Sequence, residues 1–499
     1  MLRRGLALLL SAIMGGGGAA QTPVIPSLSA DLLAGQSPLP QSTPALAADD
    51  RSYPINLATA LHLANATPLD VALAGAQVEI AAKQYDRAKL LWVPNLMVGG
   101  DYFRHDGGQQ NFQGEIVRSS RSTAMAGFGP NIVLSFSDAV YAPLAARQEL
   151  LARRSFQTAT SNDVAMTVAD VYFHVQQARA ELAGALLTLE MATEVSRKAE
   201  KLAEGLTPPL EATRARVELA RRKQSVTTAR EQWRVASAEL ARILRLDAGV
   251  VVEPVEPPTL PITLISDYET AETLIPVALT NRPELAGQQA FVQATLARLK
   301  QEKIRPLVPS LTVRSVSTNP SGSLGYGTFG GGRGDKMDNF GSRFDIDAQL
   351  MWEFSALGFG NRARANERKA EHYAATLELF KTQDRIAAEV VTAHVQLRAA
   401  AERLRDAEPA LKDAHDLVLK SVEGMGQTRR VGDVVVLIVR PQEVVAAIQA
   451  LAQANSDFSK AIGDYNRGQF RLYRALGHPA ANLSGAVVSQ TGHVVQAGK

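Results

Sequence analysis

The 499-residue chain contains no cysteine. That excludes thiol catalysis, disulfide staples and a lipid attached through a cysteine. It also lacks a surplus of one charge, since 53 basic residues stand against 50 acidic ones for a net charge of +3. Such a balance leaves no footprint for nucleic acid. No stretch after the amino terminus is long and apolar enough for a transmembrane helix, which takes ~20 residues. If this chain enters a membrane, it does so as strands. Catalytic signatures are missing too: there is no Gly-x-Ser-x-Gly, no His-Glu-x-x-His and no phosphate loop. Gly330-Gly331-Gly332-Arg333-Gly334-Asp335-Lys336 lacks the Lys-Ser/Thr ending of a phosphate cradle and reads as a flexible outer loop. Its Arg-Gly-Asp triplet is too short to weigh. His174 and His394 read as structural helix residues. No enzyme, cofactor or metal site is expected.

What the chain does contain is one architecture stated twice. Asn65-Ala66-Thr67-Pro68-Leu69-Asp70 returns as Thr280-Asn281-Arg282-Pro283-Glu284-Leu285. Leu90-Leu91-Trp92-Val93-Pro94-Asn95-Leu96 returns at the same shift as Arg305-Pro306-Leu307-Val308-Pro309-Ser310-Leu311. Phe136-Ser137 and His174-Val175-Gln176 reappear at nearly that offset as Phe354-Ser355 and His394-Val395-Gln396. A period near 200 residues far exceeds the ~20–50 of solenoids. Each half is therefore a complete structural unit.

The ends and joints follow from composition. Arg3 and Arg4, an apolar run from Leu6 to Met14, and Gly18-Ala19-Ala20 read as a secretory signal over 1–20. A Pro-rich leader follows over 21–54, with Pro23, Pro26, Pro38, Pro40 and Pro44. The first repeat spans 55–246 as helix, β-hairpin (95–138), long helix and helix. A linker over 247–267 carries Pro254, Pro257, Pro258 and Pro261. The second repeat, 268–477, has its hairpin at 310–356, and 478–499 reads as a flexible tail.

In the long helical block from Ala142 to Glu204, Val164, Val168, Val171, Val175, Ala178, Leu182, Leu186 and Leu189 recur at spacings of three and four. That is one narrow apolar stripe. A helix so long needs coiled-coil-like partners. In the hairpin regions the period changes to two: Phe344, Ile346, Ala348, Leu350, Trp352 and Phe354 alternate with Asp345, Asp347, Gln349, Met351 and Glu353. An oily face and a charged face describe an eleven-residue strand between lipid and a water-filled lumen, enough for the ~9–11 residues of a spanning strand. Its partner is read as Ser310–Ser317. In the first half the strands are Asn95–Phe103 and the segment of Ile132, Leu134 and Phe136, with outer loops at 105–122 and 319–341. Residues 95–141 and 310–360 are about a fifth of the chain yet hold 13 of its 28 aromatic residues, as aromatic girdles require. Four strands cannot close a barrel, and open edges cannot lie in lipid. Other copies of the chain must complete it; three copies would make twelve strands.

From Ile55 to Pro479 this order of features resembles the TolC family of outer-membrane efflux channels, the outer membrane factors. The family's Asn-x-Pro turns are matched by Ala66-Thr67-Pro68 and Asn281-Arg282-Pro283, its strand-to-helix segments by Phe136-Ser137-Asp138-Ala139 and Leu357-Gly358-Phe359-Gly360-Asn361-Arg362. Its helix tips are matched by Gly205-Leu206…Glu211 and Gly426-Gln427-Thr428-Arg429-Arg430…Asp433, its closing helix by Tyr473-Arg474-Ala475-Leu476-Gly477. The resemblance implies a mixed α and β membrane protein with four transmembrane strands and long coiled-coil-like helices. It implies a homotrimer whose 12-stranded barrel in the Gram-negative outer membrane continues as a 12-helix periplasmic α-barrel. The implied partners are outer-membrane lipid, a periplasmic adaptor and an inner-membrane pump, the chain acting as passive exit duct of a tripartite efflux system. A duct for type I protein secretion shares this architecture. A periplasmic coiled-coil adaptor fits less well, having one hairpin flanked by small β-domains.

The site residues of that reading lie at the two ends. Glu211 and Asp433, with Arg429 and Arg430 as ion-pair partners, would form a gate at the helix tips. The tip turns at Gly205, Leu206, Gly424 and Gly426 would meet the adaptor. Asp345, Asp347, Gln349 and Glu353 would line the barrel lumen.

Overall fold

The computed structural model describes residues 50–66, 68–204, 207–266, 269–314, 326–334, 336–344, 346–425, 427–431, 434–478, 486–488 and 494–496. The expected signal, most of the leader, Gly205, Leu206, Asp345, Gly426 and Asp433 lie outside them. In the first half β1 (Arg51–Ile55), α1 (Leu57–Ala66), α2 (Leu69–Lys89), β2 (Asn95–Gln110), β3 (Ile116–Ser135), α3 (Phe136–Leu202) and α4 (Pro209–Leu244) follow one another. After β4 (Val250–Pro254) the second half runs through α5 (Ala271–Asn281), α6 (Pro283–Ile304), β5 (Ser310–Arg314), β6 (Tyr326–Arg333), β7 (Asn339–Phe344) and β8 (Asp347–Met351). It ends with α7 (Phe359–Gly424), β9 (Thr428–Val431), β10 (Val434–Leu437) and α8 (Pro441–Ala475).

Proline sets the joints. Pro68 precedes α2 and Pro283 opens α6; a proline cannot donate to the previous turn and pushes its predecessor out of the helical region, so α1 and α5 stop there. The long helices α3 and α7 have 67 and 66 residues, about 100 Å at ~1.5 Å per residue. They persist because shorter helices flank them. α2 and α4 both lie on α3, while α6 and α8 each lie between α3 and α7. Arg298 of α6 pairs with Glu149 early in α3, and Arg471 of α8 pairs with Asp170 farther along. The short helices thus succeed one another along the long ones.

The core gathers midway along the long helices. Val164, Val168, Val175, Ala178 and Leu182 of the predicted stripe are buried with Leu61, Phe173, Trp233 and Leu240, and Val171, Leu186 and Leu189 pack on them. A second cluster joins Leu274, Ile386, Val390, Leu397 and Leu472. Each such side chain contributes roughly 1.5–3 kcal/mol on burial.

Several expectations are corrected. The end of the leader and the linker both contain strand: β1 runs parallel to β4, Arg51 opposite Val250 and Ile55 opposite Pro254. The β-branched run Val250-Val251-Val252 favours a strand, and the buried Trp233 indole donates to the Val252 carbonyl at 3.0 Å. The long helix starts at Phe136, not Ala142, so Phe136 is no strand residue. The first hairpin is longer than read, because ladder pairs run from Asn95–Asn131 to Gln110–Ile116 and leave only 111–115 as its turn. Polar residues with water on both sides still pair. The reading of 319–341 as a loop fails at β6, whose register runs from Arg333 opposite Arg121 to Tyr326 opposite Phe128. The eleven-residue strand from Phe344 to Phe354 is divided: β7 pairs with β6, β8 pairs with β5, and Trp352 to Phe354 leave the ladder. The second tip, rich in valine, forms the hairpin β9–β10. In the tail, Ala486–Val488 pairs with Val494–Gln496.

Candidate functional site

The sheet is the first half of the site. β3 pairs with β2 along one edge; its other edge takes β5 near the helices and β6 farther out, and β8 and β7 continue beyond them. Each chain therefore supplies four strand positions. Among the described residues, the outer edge of β2 and the outer edge formed by β7 and β8 have no partner strand.

Register sorts the side chains onto two faces, since residues opposite each other point the same way. On one face Val98 stands opposite Phe128, Leu134 opposite Leu311, and Leu311 opposite Leu350. Leu96, Val98, Tyr102 and Leu350 are 69%, 76%, 61% and 58% exposed. So much apolar surface turned outward requires a medium other than water. On the other face lie Asp101, His105, Arg121, Arg333, Asp347 and Gln349. Asp347 and Gln349 share this polar face, with the Gln349 amide donating to Asp347 Oδ2 at 2.8 Å. Glu353 does not. β8 ends at Met351, and Asn361 takes the backbone beyond it, accepting from Ser355 N–H at 2.7 Å and donating to the Glu353 carbonyl at 3.4 Å. Those bonds turn the chain into α7.

Where strands meet helices, polar side chains fix the join. Asp138 Oδ1 accepts from Gln301 Nε2 at 2.7 Å and from Arg305 Nη2 at 2.5 Å. Burial opposes its ionisation, but those bonds and the Arg305 charge hold the carboxyl below its ordinary range.

Farther down, Arg282 is buried with 1% of its side chain exposed. It donates to the carbonyls of Arg474 (3.3 Å) and Ala475 (3.5 Å), and to Glu389, with Glu284 at 3.2 Å. Arg474 bonds Asp163 at 2.5 Å, Glu389 at 2.8 Å and Glu284 at 3.0 Å. One cluster of two arginines and three carboxylates thus ties α3, α6, α7 and α8. Arg282 stood in the sequence as a turn residue of the repeat; only its position just before Pro283 pointed to it. Beside β4, the buried Tyr172 hydroxyl bonds Glu256, and burial with that carboxylate pushes the phenol well up.

At the tips Glu211 lies in the first turn of α4, and Arg429 and Arg430 lie on β9. Glu211 pairs with Arg214 of its own helix at 3.0 Å. Arg214 also donates to Gln442 Oε1 on α8 at 2.8 Å, so the tips of α4 and α8 are braced together. Arg429 and Arg430 sit on β9 opposite Val436 and Val435, and the Arg429 side chain is exposed. Gly424 ends α7 so close to the hairpin that a Cβ there would meet Val439 at 2.6 Å. His394 Nε2 donates to the Glu269 carbonyl at 2.7 Å, and among the described residues no acid–histidine group is arranged to hold a metal.

Comparison with known proteins agrees with this geometry. Residues 60–244 match the outer membrane efflux protein family. The fold is similar to that of the outer membrane protein VceC of Vibrio cholerae (TM-score 0.66, 15% identity, covering 85% of this chain and 96% of that one). It is similar to the CmeC outer membrane channel of Campylobacter jejuni (0.67, 15%, 85% and 86%) and to the MtrE outer membrane channel of Neisseria gonorrhoeae in its open state (0.66, 14%, 85% and 89%). No curated protein matches the chain by sequence.

Proposed function

We propose a function for a chain whose first repeat matches the outer membrane efflux proteins and whose fold is that of TolC-like channels of the Gram-negative outer membrane: it is the passive exit duct of a tripartite efflux system. The observation that carries this reading is the two-faced sheet of four strand positions with both outer edges open, continuous with the long helices. Open edges in lipid leave backbone groups without partners, at several kcal/mol each. Closure by two more copies satisfies them, giving a homotrimer with an apolar outer belt and a polar lumen. The helices then carry the tunnel across the periplasm, and the tips, with Gly424 and the β9–β10 hairpin, meet a periplasmic adaptor and through it an inner-membrane pump. The match over 60–244 favours efflux over export of polypeptides.

The lumen row in this proposal includes Asp347 and Gln349. The gate is placed at the tips, with Asp433 and the neighbouring Arg429 and Arg430 on the second hairpin and the Glu211–Arg214–Gln442 brace on the first. Because the chain has no cysteine, one introduced on β2 and one on β8 report every contact unambiguously. Oxidation of the double variant in outer membranes should yield a covalent ladder that ends at three chains. A ladder ending at two, or none with both cysteines accessible, would overturn the trimer.

A further inference from the structure

The polar face of the sheet gathers basic residues at its outer end. His105 stands opposite Arg121, and Arg121 opposite Arg333, so three basic side chains lie side by side across β2, β3 and β6. They sit at the end away from the helices, just beyond the apolar belt that closes at Tyr102 on the opposite face. Directly opposed residues on neighbouring strands are only about 4.5–5.5 Å apart at Cβ, and like charges there are destabilising. Among the described residues nothing nearby repairs this. Arg121 and Arg333 are both exposed and make no ion pair among the described residues. His105 Nε2 is shielded from solvent and has no hydrogen-bond partner. Asp106, the adjacent acid, points to the other face and is taken by Arg104 Nε at 2.5 Å and by the Ser120 hydroxyl at 2.5 Å. Asp101, the nearest acid on the same face, lies two polar-face positions deeper, opposite Met125.

We propose that His105, Arg121 and Arg333 form an anion-attracting belt at the outer mouth of the lumen and set the charge preference of the exit. The proposal rests on the channel reading above. An opposed arginine pair without a counter-ion costs stability, and a passing or resident anion relieves that cost with charge-assisted hydrogen bonds. Each further copy around the barrel repeats the trio, and a ring of one sign around a narrow passage favours the opposite ion. The permeant class favoured at this end is therefore anionic, despite Asp347 nearer the helices.

Planar bilayers holding the purified oligomer under a KCl gradient test this directly. The reversal potential should give chloride a higher permeability than potassium. Arg121→Gln with Arg333→Gln should lower that ratio several-fold, Arg121→Lys with Arg333→Lys should preserve it, and Arg121→Glu with Arg333→Glu should invert it. The Lys variant guards against loss through misfolding. Cation preference in the native channel, or a ratio indifferent to all three pairs, would overturn the belt while leaving the channel intact. An intact oligomer that passes no ion at all strikes instead at the channel reading, and the belt falls with it.

Discussion

The indole N–H of Trp92 donates to the backbone carbonyl of Ala139 at 3.1 Å. That carbonyl is the one Pro143 leaves without a helical donor, because a proline lacks the N–H that would bond four residues back. α3 can therefore run unbroken through a proline and start directly after β3, and the turn before β2 is pinned to the strand–helix join. Trp92→Phe keeps the ring and removes the donor. It should cost about 1–3 kcal/mol, read as a lowered midpoint of thermal unfolding, with Pro143→Ala restoring most of the loss.

The two faces of β2 should respond oppositely to charge. Val98→Arg puts a guanidinium on the apolar face, at about 2–4 kcal/mol if near the bilayer midplane. Met97→Arg, its neighbour on the polar face, should be tolerated. The yield of folded oligomer in outer membranes separates them, and equal yields would contradict the assignment of faces.

Removing Arg282 takes the buried donor from the Arg474 and Ala475 carbonyls and leaves Glu389 and Glu284 to Arg474. Arg282→Ala should destabilise by about 3–5 kcal/mol, as loss of one partner of a buried pair does. Arg282→Lys should recover little, since a single ammonium cannot span the same acceptors. Thermal unfolding of both variants reads this.

Acid should loosen the strand–helix join. With Asp138 held below its ordinary value, its contribution is fully present above the unfolded value of about 3.9 and is lost as pH falls through the folded one. The stability difference between the native chain and Asp138→Asn should be constant near neutral pH and shrink below about pH 4. A gap that widens on acidification would contradict the sign.

At the tips, Arg214→Ala should free Glu211 and release α4 from Gln442. Conductance in planar bilayers should rise, while the exposed Glu239 pair with Arg242 offers a neutral control in Arg242→Ala. Unchanged conductance in Arg214→Ala would remove the brace from the gate.

Much of this was legible in the sequence because it is periodic. The duplicated Pro68 and Pro283 marked the helix breaks, and the stripe from Val164 to Leu189 marked the buried side of α3. What escaped depends on pairing between distant segments. Val250 to Pro254 looked like linker because its partner, Arg51–Ile55, lies about 200 residues away. β6 looked like loop because glycine suits a turn; yet Gly327 and Gly331 pack against neighbouring backbone, where a Cβ would meet Ala126 O at 2.2 Å and Ser122 O at 2.5 Å. At Glu211 the sequence showed a tip acid but not its partner, Arg214 one turn on.

The most direct test is single-particle imaging of the mature chain extracted in mild detergent, read for symmetry and for a lumen. A threefold hollow tube with a detergent belt at one end is expected. A monomer, or a solid rod without a barrel belt, would contradict the claim that this sheet is a third of a channel wall.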